Sequence, residues 1–244
     1  MKLRIAFAAL AALVLASCGS GTGGNSSAPA APVASAAPPA GKLWTDVVSA
    51  TPEGGYVMGN PNAPIKLVEY GSRLCPTCGA FANTGMKTLE ATYVASGKVS
   101  YEFREFMVHG PPDFAPALLG RCAGAGPFFP LLEQMFAAQP AVLPKLEAAM
   151  APMAKLQGQP ATVVSTAWAE QLGFIDFVKQ RGIPEAQARA CLGDQKANEA
   201  LALMTDKASG LGVSGTPTFF INGTKAEGVI TWEAMQDTLK AAGA

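Results

Sequence analysis

Ile65-Lys66-Leu67-Val68-Glu69-Tyr70-Gly71-Ser72-Arg73-Leu74-Cys75-Pro76-Thr77-Cys78 is the stretch on which the reading of this chain turns. Its first six residues read as a strand, with Ile65, Leu67 and Glu69 on one face by the period of two. From Pro76 to about Ser96 the period lengthens, and Ala82, Met86, Leu89 and Tyr93 recur at helical spacing. The two cysteines therefore sit where strand gives way to helix. At a helix N-terminus, unpaired backbone N–H groups and the macrodipole favour a thiolate and lower its pKa. Cys75 is the candidate nucleophile, and Cys78, one turn in, is the thiol that closes a disulfide with it. A Cys-x-x-Cys pair also suits zinc, but zinc needs two further ligands. Cys122 and Cys191 stand alone and His109 is the only histidine, so no second ligand pair exists at zinc spacing and no metal is expected. Two readings of Glu69 stay open: a carboxylate buried among apolar neighbours, or an edge residue turned to solvent.

Outward from this stretch, Val99, Tyr101 and Phe103 alternate with Ser100, Glu102 and Arg104, which predicts a second strand and a βαβ unit. The single His109 follows that strand and is expected in a loop. Upstream, Tyr56 to Met58 predicts a short strand before the turn Gly59-Asn60-Pro61-Asn62-Ala63-Pro64. Between Asp113 and about Gly210 strand alternation disappears, and proline or glycine punctuates segments of helical length. There Phe128, Phe129, Leu132, Met135 and Phe136 form one apolar surface and Trp168, Leu172 and Ile175 another, both expected in the core. Pro184 and Glu185 suit the first turn of a helix carrying Cys191 near its end. Strand character resumes at Thr216-Pro217-Thr218-Phe219-Phe220-Ile221. Asn222-Gly223 then predicts a tight hairpin returning through Val229 and Ile230. Thr231 is a candidate N-cap for a closing helix with Trp232, Met235 and Leu239 on one face.

The N-terminus reads as an export signal: Lys2 and Arg4, then an apolar run from Ile5 to Leu15 too short to span a bilayer. Leu15-Ala16-Ser17-Cys18 resembles the lipobox of bacterial lipoproteins, which implies a signal peptide over 1–17 and acylation of Cys18. An ordinary signal peptide with an incidental cysteine is the alternative. Residues Gly19 to Gly41 carry no charge and no aromatic ring and are expected to be a disordered tether, over 18–42 with the anchor. As a free coil it would reach about 25–30 Å. The remainder, some 200 residues by sequence, is long enough for one core carrying an insertion. The chain has 18 basic and 18 acidic side chains, and losing the two basic residues of the signal leaves a formal charge of −2, so nucleic acid is not an expected partner. In an exported, oxidising setting the leftover Cys122 and Cys191 are expected to be joined, with two separate buried thiols as the alternative.

The pattern resembles the thioredoxin superfamily and, within it, the DsbA-like thiol:disulfide oxidoreductases. The resemblance covers about Tyr56 to Gly243. It rests on strand-Cys75-Pro76-Thr77-Cys78-helix, on the helical insertion, and on Val213-Ser214-Gly215-Thr216-Pro217-Thr218-Phe219-Phe220-Ile221-Asn222-Gly223. It implies an α/β fold: a thioredoxin fold, with a central mixed sheet flanked by helices, interrupted by an all-helical domain. The first part would span 43–112, the insertion 113–210 and the second part 211–244. It further implies a cis bond before Pro217 beside the active disulfide, and a backbone edge at Thr216 that meets an extended client. Glu69 would be the buried acid that accepts the proton of Cys78. Two departures stand out. Strong oxidases of the family have histidine where this chain has Thr77, which predicts a less oxidising couple, with Arg73 as a weak electrostatic substitute. Thr216 before Pro217 resembles isomerases and reductases more than oxidases.

The function expected from sequence is thiol–disulfide exchange through a mixed disulfide at Cys75, resolved by Cys78, with no cofactor beyond the two sulfurs. Clients would be exported proteins in the periplasm, a separate redox partner would reset the pair, and the protein would be a membrane-anchored monomer. Gly19 after Cys18 hints at the outer membrane. A reductase or isomerase of the same fold and a non-catalytic peptide-binding or chaperone-like lipoprotein are the alternatives.

Overall fold

The computed structural model describes residues 30–244. The expected signal peptide at 1–17, the anchor at Cys18 and the first part of the tether lie outside the described residues. Among the described residues no helix is long and apolar enough to cross a membrane.

Alternation in the sequence becomes strand where one face is apolar. Strands β1 (Val48–Ala50), β2 (Tyr56–Gly59), β3 (Ile65–Gly71), β4 (Val99–Glu105), β5 (Thr218–Ile221) and β6 (Thr224–Lys225) form one sheet in the order β1-β2-β4-β3-β5-β6. Only β3 and β4 run parallel; they are joined by helix α1 (Pro76–Thr88) and a π-helical continuation Leu89–Val94. The central strands β3 and β4 are buried along most of their length, as expected of strands covered on both faces. This sheet is mixed, flanked by helices, and interrupted between β4 and β5 by α2 (Pro111–Arg121), α3 (Phe128–Met153), α4 (Ala161–Leu172), α5 (Phe174–Lys179), α6 (Glu185–Leu192) and α7 (Gln195–Gly210). The closing helix α8 (Trp232–Ala241) is capped by Thr231, whose side chain accepts from Ala234 N.

Helix α3 joins the two halves. Phe128, Phe129, Leu132 and Phe136 enter the core beneath the sheet with Phe81, Phe103, Phe219 and Trp232, whereas Leu131, Met135, Val142 and Leu146 enter the helical core with Leu118, Trp168, Leu172 and Phe174. Prolines were expected to punctuate this region, yet α3 continues through Pro140, Pro144 and Pro152. Each interior proline costs about 3 kcal/mol through a lost hydrogen bond and a clash. Burial of both apolar stripes along one rod, at about 1.5–3 kcal/mol per large side chain, outweighs that cost.

Two expectations are corrected. The hairpin turns at Asn222 and Gly223, whose φ values of +50° and +81° suit a tight hairpin turn, but the returning strand is only Thr224–Lys225. The last bond on this side is Ala226 N to Phe219 O, and Gly228 at φ +72° then swings the chain towards the Thr231 cap, leaving Ile230 50 % exposed outside the sheet. The tether, expected to be free to residue 42, is docked from residue 30. Ala30 N donates to Ala241 O, Val33 N to Gly243 O and Ala36 N to Ser96 O, and Ala36 O accepts from Trp44 Nε1. The carbonyls at the end of α8 lack intrahelical partners, and an extended strap with unused N–H groups satisfies them.

Candidate active site

Cys75 is the N-cap of α1 and Pro76 its first residue, a position where the missing N–H of proline costs nothing. The Cys75 sulfur accepts from Cys78 N at 3.4 Å and lies 3.3 Å from Thr216 O, to which its S–H donates. The Thr216–Pro217 bond is cis, which sets that carbonyl beside the sulfur. The Cys78 thiol, hydrogen-bonded to Cys75, holds the Cys75 pKa down at about 5, helped by the backbone N–H groups of Cys78 and Thr77, against the opposing effect of burial. Thr77 itself is exposed and contributes through its backbone. Cys78 is the opposite case: fully buried, it is pushed well above the ordinary thiol value by burial, by Cys75 and by the charge of Glu69.

Glu69 is 1 % exposed, which excludes the solvent-facing reading. Its Oε2 accepts from Tyr101 Oη at 2.7 Å, and Oε1 is buried without a partner. Burial pushes its pKa up to about 8, with the Cys75 and Glu105 charges adding to the rise and the Tyr101 hydrogen bond opposing it. A carboxyl in that range can hold or release a proton near neutral pH, and it is electrostatically coupled to Cys78.

Arg73 does not serve the thiolate. It is buried with its Nε and Nη2 on Glu105 Oε1 at 2.9 and 2.8 Å, and its guanidinium lies over the Phe128 ring at 5.0 Å. A guanidinium buried at the end of β3 takes a carboxylate of its own, and Glu105 ends the neighbouring strand in register with Gly71.

The helical half reaches this site through a residue that periodicity left unmarked. Gln139 on α3 crosses Gly79, where an added methyl would overlap its amide, and donates to Arg73 O at 3.0 Å and Cys75 O at 2.9 Å. Glycine directly after Cys78 was the only signal in the sequence that something must pass there. Cys122 and Cys191 lie elsewhere, at the ends of α2 and α6, with sulfurs joined at 2.00 Å and Cα atoms 5.9 Å apart. His109 lies in the loop after β4 with its Nδ1 3.1 Å from Asp113 Oδ1. Among the described residues no cluster of three or more histidine, cysteine or acidic side chains is arranged to hold a metal.

Known proteins resemble the chain in the same parts. A Rickettsia bellii protein named "Putative protein-disulfide oxidoreductase" is 29 % identical over 178 residues, 72 % of this chain and 60 % of that protein. The chain thus spans about 60 % of the length of this curated relative. The crystal structure of a protein-disulfide isomerase from Novosphingobium aromaticivorans superposes with a TM-score of 0.71 at 28 % identity, over 76 % of this chain and 95 % of that one. Wolbachia pipientis alpha-DsbA1 shares the fold, with a TM-score of 0.57 at 20 % identity over 80 % of this chain and 93 % of its own. With the family model described as thioredoxin matching residues 51–241, the chain belongs to the thioredoxin family, in the DsbA-like arrangement whose sheet is interrupted by helices.

Proposed function

We propose that this protein is a thiol:disulfide oxidoreductase acting on exported proteins. The observation that carries the reading is the opposed pair of thiols: Cys75 held down at about 5 at a helix N-terminus, and Cys78 raised by burial one turn later. A client thiolate attacks the oxidised pair at Cys75, forming a mixed disulfide as the electrons of the broken bond pass to Cys78. A second client thiolate then attacks the client sulfur and releases Cys75 as thiolate. In the reducing direction Cys78 resolves the mixed disulfide, and Glu69 accepts its proton. Pro76 and Thr77 shape the turn, and the Thr216–Pro217 edge meets the client chain. The bonded Cys122 and Cys191 are a structural staple.

Export, acylation at Cys18, a periplasmic position, a lipid anchor with a faint preference for the outer membrane, and a monomeric state belong to the same proposal. They rest on residues 1–18 and on the absence of charge in the following segment. An isomerase or reductase role is the second reading. It is favoured by Thr216 before Pro217 and by likeness to the Novosphingobium protein-disulfide isomerase.

Equilibration of the Cys75–Cys78 couple with glutathione tests the direction. A Cys75 pKa of about 5 lies between those of DsbA, about 3.5, and thioredoxin, about 7. The expected potential therefore falls between about −120 and about −270 mV. A value at the thioredoxin end excludes a strong oxidase, and one at the DsbA end excludes a reductase.

A further inference from the structure

Asp113, 1 % exposed in the first turn of α2, gathers donors from two directions. Ser72 Oγ donates to its Oδ1 at 2.7 Å, His109 N donates to its Oδ2 at 2.7 Å, and His109 Nδ1 lies 3.1 Å from Oδ1. Ser72 in turn belongs to the cysteine loop. Its Oγ accepts from Leu74 N at 3.0 Å, and its carbonyl accepts from Cys75 N at 3.1 Å. A continuous hydrogen-bonded path thus runs from the one imidazole of the chain through Asp113 and Ser72 to the backbone of the cysteine loop at Leu74 and Cys75.

The surroundings of His109 leave few charges to act on it. It borders a cavity of about 510 Å³ whose other walls are Pro112 and Phe114 from α2, Met150 from the end of α3, Gln157 from the following turn and Trp168 from α4, with their neighbours, none of which ionises. The negative groups that act on it are Asp113 and Cys75. The Asp113 hydrogen bond raises its pKa above 6.5, partial burial opposes this, and the charges of Asp113 and Cys75 add to the rise. The turn between the cysteines holds only the neutral Pro76 and Thr77, so no cation comes from within the motif.

We propose that His109, held by Asp113 and linked through Ser72 to the backbone of the cysteine loop, is a positioning residue of the dithiol: its positive charge acts on the Cys75 thiolate, and it takes up a proton when the pair is reduced. The inference rests on the thiol-exchange reading. A client dithiol brings two electrons and two protons as its own sulfurs join. The electrons break the Cys75–Cys78 bond, Cys78 keeps one proton, and Cys75 stays a thiolate. The second proton settles on His109 wherever the imidazole is neutral beside the disulfide and charged beside the thiolate.

Because the chain has one histidine, its ring protons can be followed by NMR without any variant. The titration is run on oxidised protein, on reduced protein, and on reduced Cys75→Ser protein. The His109 midpoint is expected about half a unit higher in the reduced than in the oxidised protein, a three-fold gain in proton affinity, since the hydrogen bonds at the sulfur itself are the larger effects on Cys75. Cys75→Ser should erase the difference. By reciprocity, His109→Asn, whose amide can still reach Asp113, should raise the Cys75 thiolate midpoint about three-fold in proton affinity. Equal His109 midpoints in both redox states, with exchange activity intact, overturn this assignment and leave the exchange reading standing. A shifted midpoint in a protein that exchanges no thiols overturns the exchange reading and leaves the coupling standing.

Discussion

The sheet region and the helical region each hold one pair of cysteines, and the pairs sit at opposite ends of helices. Cys75 is the N-cap of α1, whereas Cys122 is the C-cap of α2 and Cys191 lies in the last turn of α6. A helix N-terminus attracts a sulfur anion and a C-terminus repels it. Reduction of the first pair therefore leaves a stabilised thiolate. Reduction of the second gives no such anion and frees a loop of 69 residues, whose closure restrains the unfolded chain by about 4 kcal/mol. On the proposed reading, the same bond is exchangeable in one region and a staple in the other because of where each helix begins or ends.

The strongest attempt to break this contrast is Cys75→Ser, expected to reduce turnover of a model disulfide to the uncatalysed rate. Turnover left unchanged would end the catalytic reading. Next in size, Cys122→Ala combined with Cys191→Ala should keep that turnover and lower unfolding stability in urea by about 4 kcal/mol. The reverse result, lost turnover with stability kept, would invert the roles of the two pairs. Gln139→Ala cuts the link between the regions and leaves the buried Arg73 carbonyl without a donor, the Cys75 carbonyl keeping that of Gly79 N, for an expected loss of about 1–3 kcal/mol in the same assay.

The smallest effect is expected from Thr77→His. An added cation should lower the Cys75 midpoint, read from thiolate absorbance, by less than about one unit below its wild-type value near 5, since the Cys78 thiol already supplies the largest share of the stabilisation. The folded value is depressed from about 9, so the thiolate stabilises the reduced protein fully above pH 9. That stabilisation should decline as pH falls and be gone below about 5. Urea unfolding of reduced and oxidised protein across this range measures it.

What could be read from the sequence was what repeats along it. The period of two in Ile65 to Tyr70 and the helical period after Pro76 place Cys75 at a helix N-terminus without any tertiary information, and the order of elements implies the fold. What could not be read depends on contacts between distant segments. Tyr101 finds Glu69 only through the parallel register of β3 and β4, in which Leu67 faces Tyr101 and Glu69 faces Phe103. Arg73 looked available to the thiolate because Glu105, its partner, lies 32 residues away. Val229 and Ile230 have strand composition, but the ladder had already closed at Ala226. The strap is poor in apolar groups and reads as a free coil, yet backbone hydrogen bonds to an open helix end hold it.

That strap defines a load path. It meets the domain at the end of α8 and then runs past Ser96, just before β4 begins at Val99, and Val99 pairs with Ile65 at the start of β3, whereas Cys75 follows the far end of β3. Seven residues of strand, about 23 Å, separate the two ends. On the proposed anchored reading, tension entering at residue 30 meets the hydrogen bonds to the end of α8 and to Ser96 before it reaches the parallel strands. A pull on the arm would then act at the base of the sheet, a strand's length from the thiols at its opposite rim.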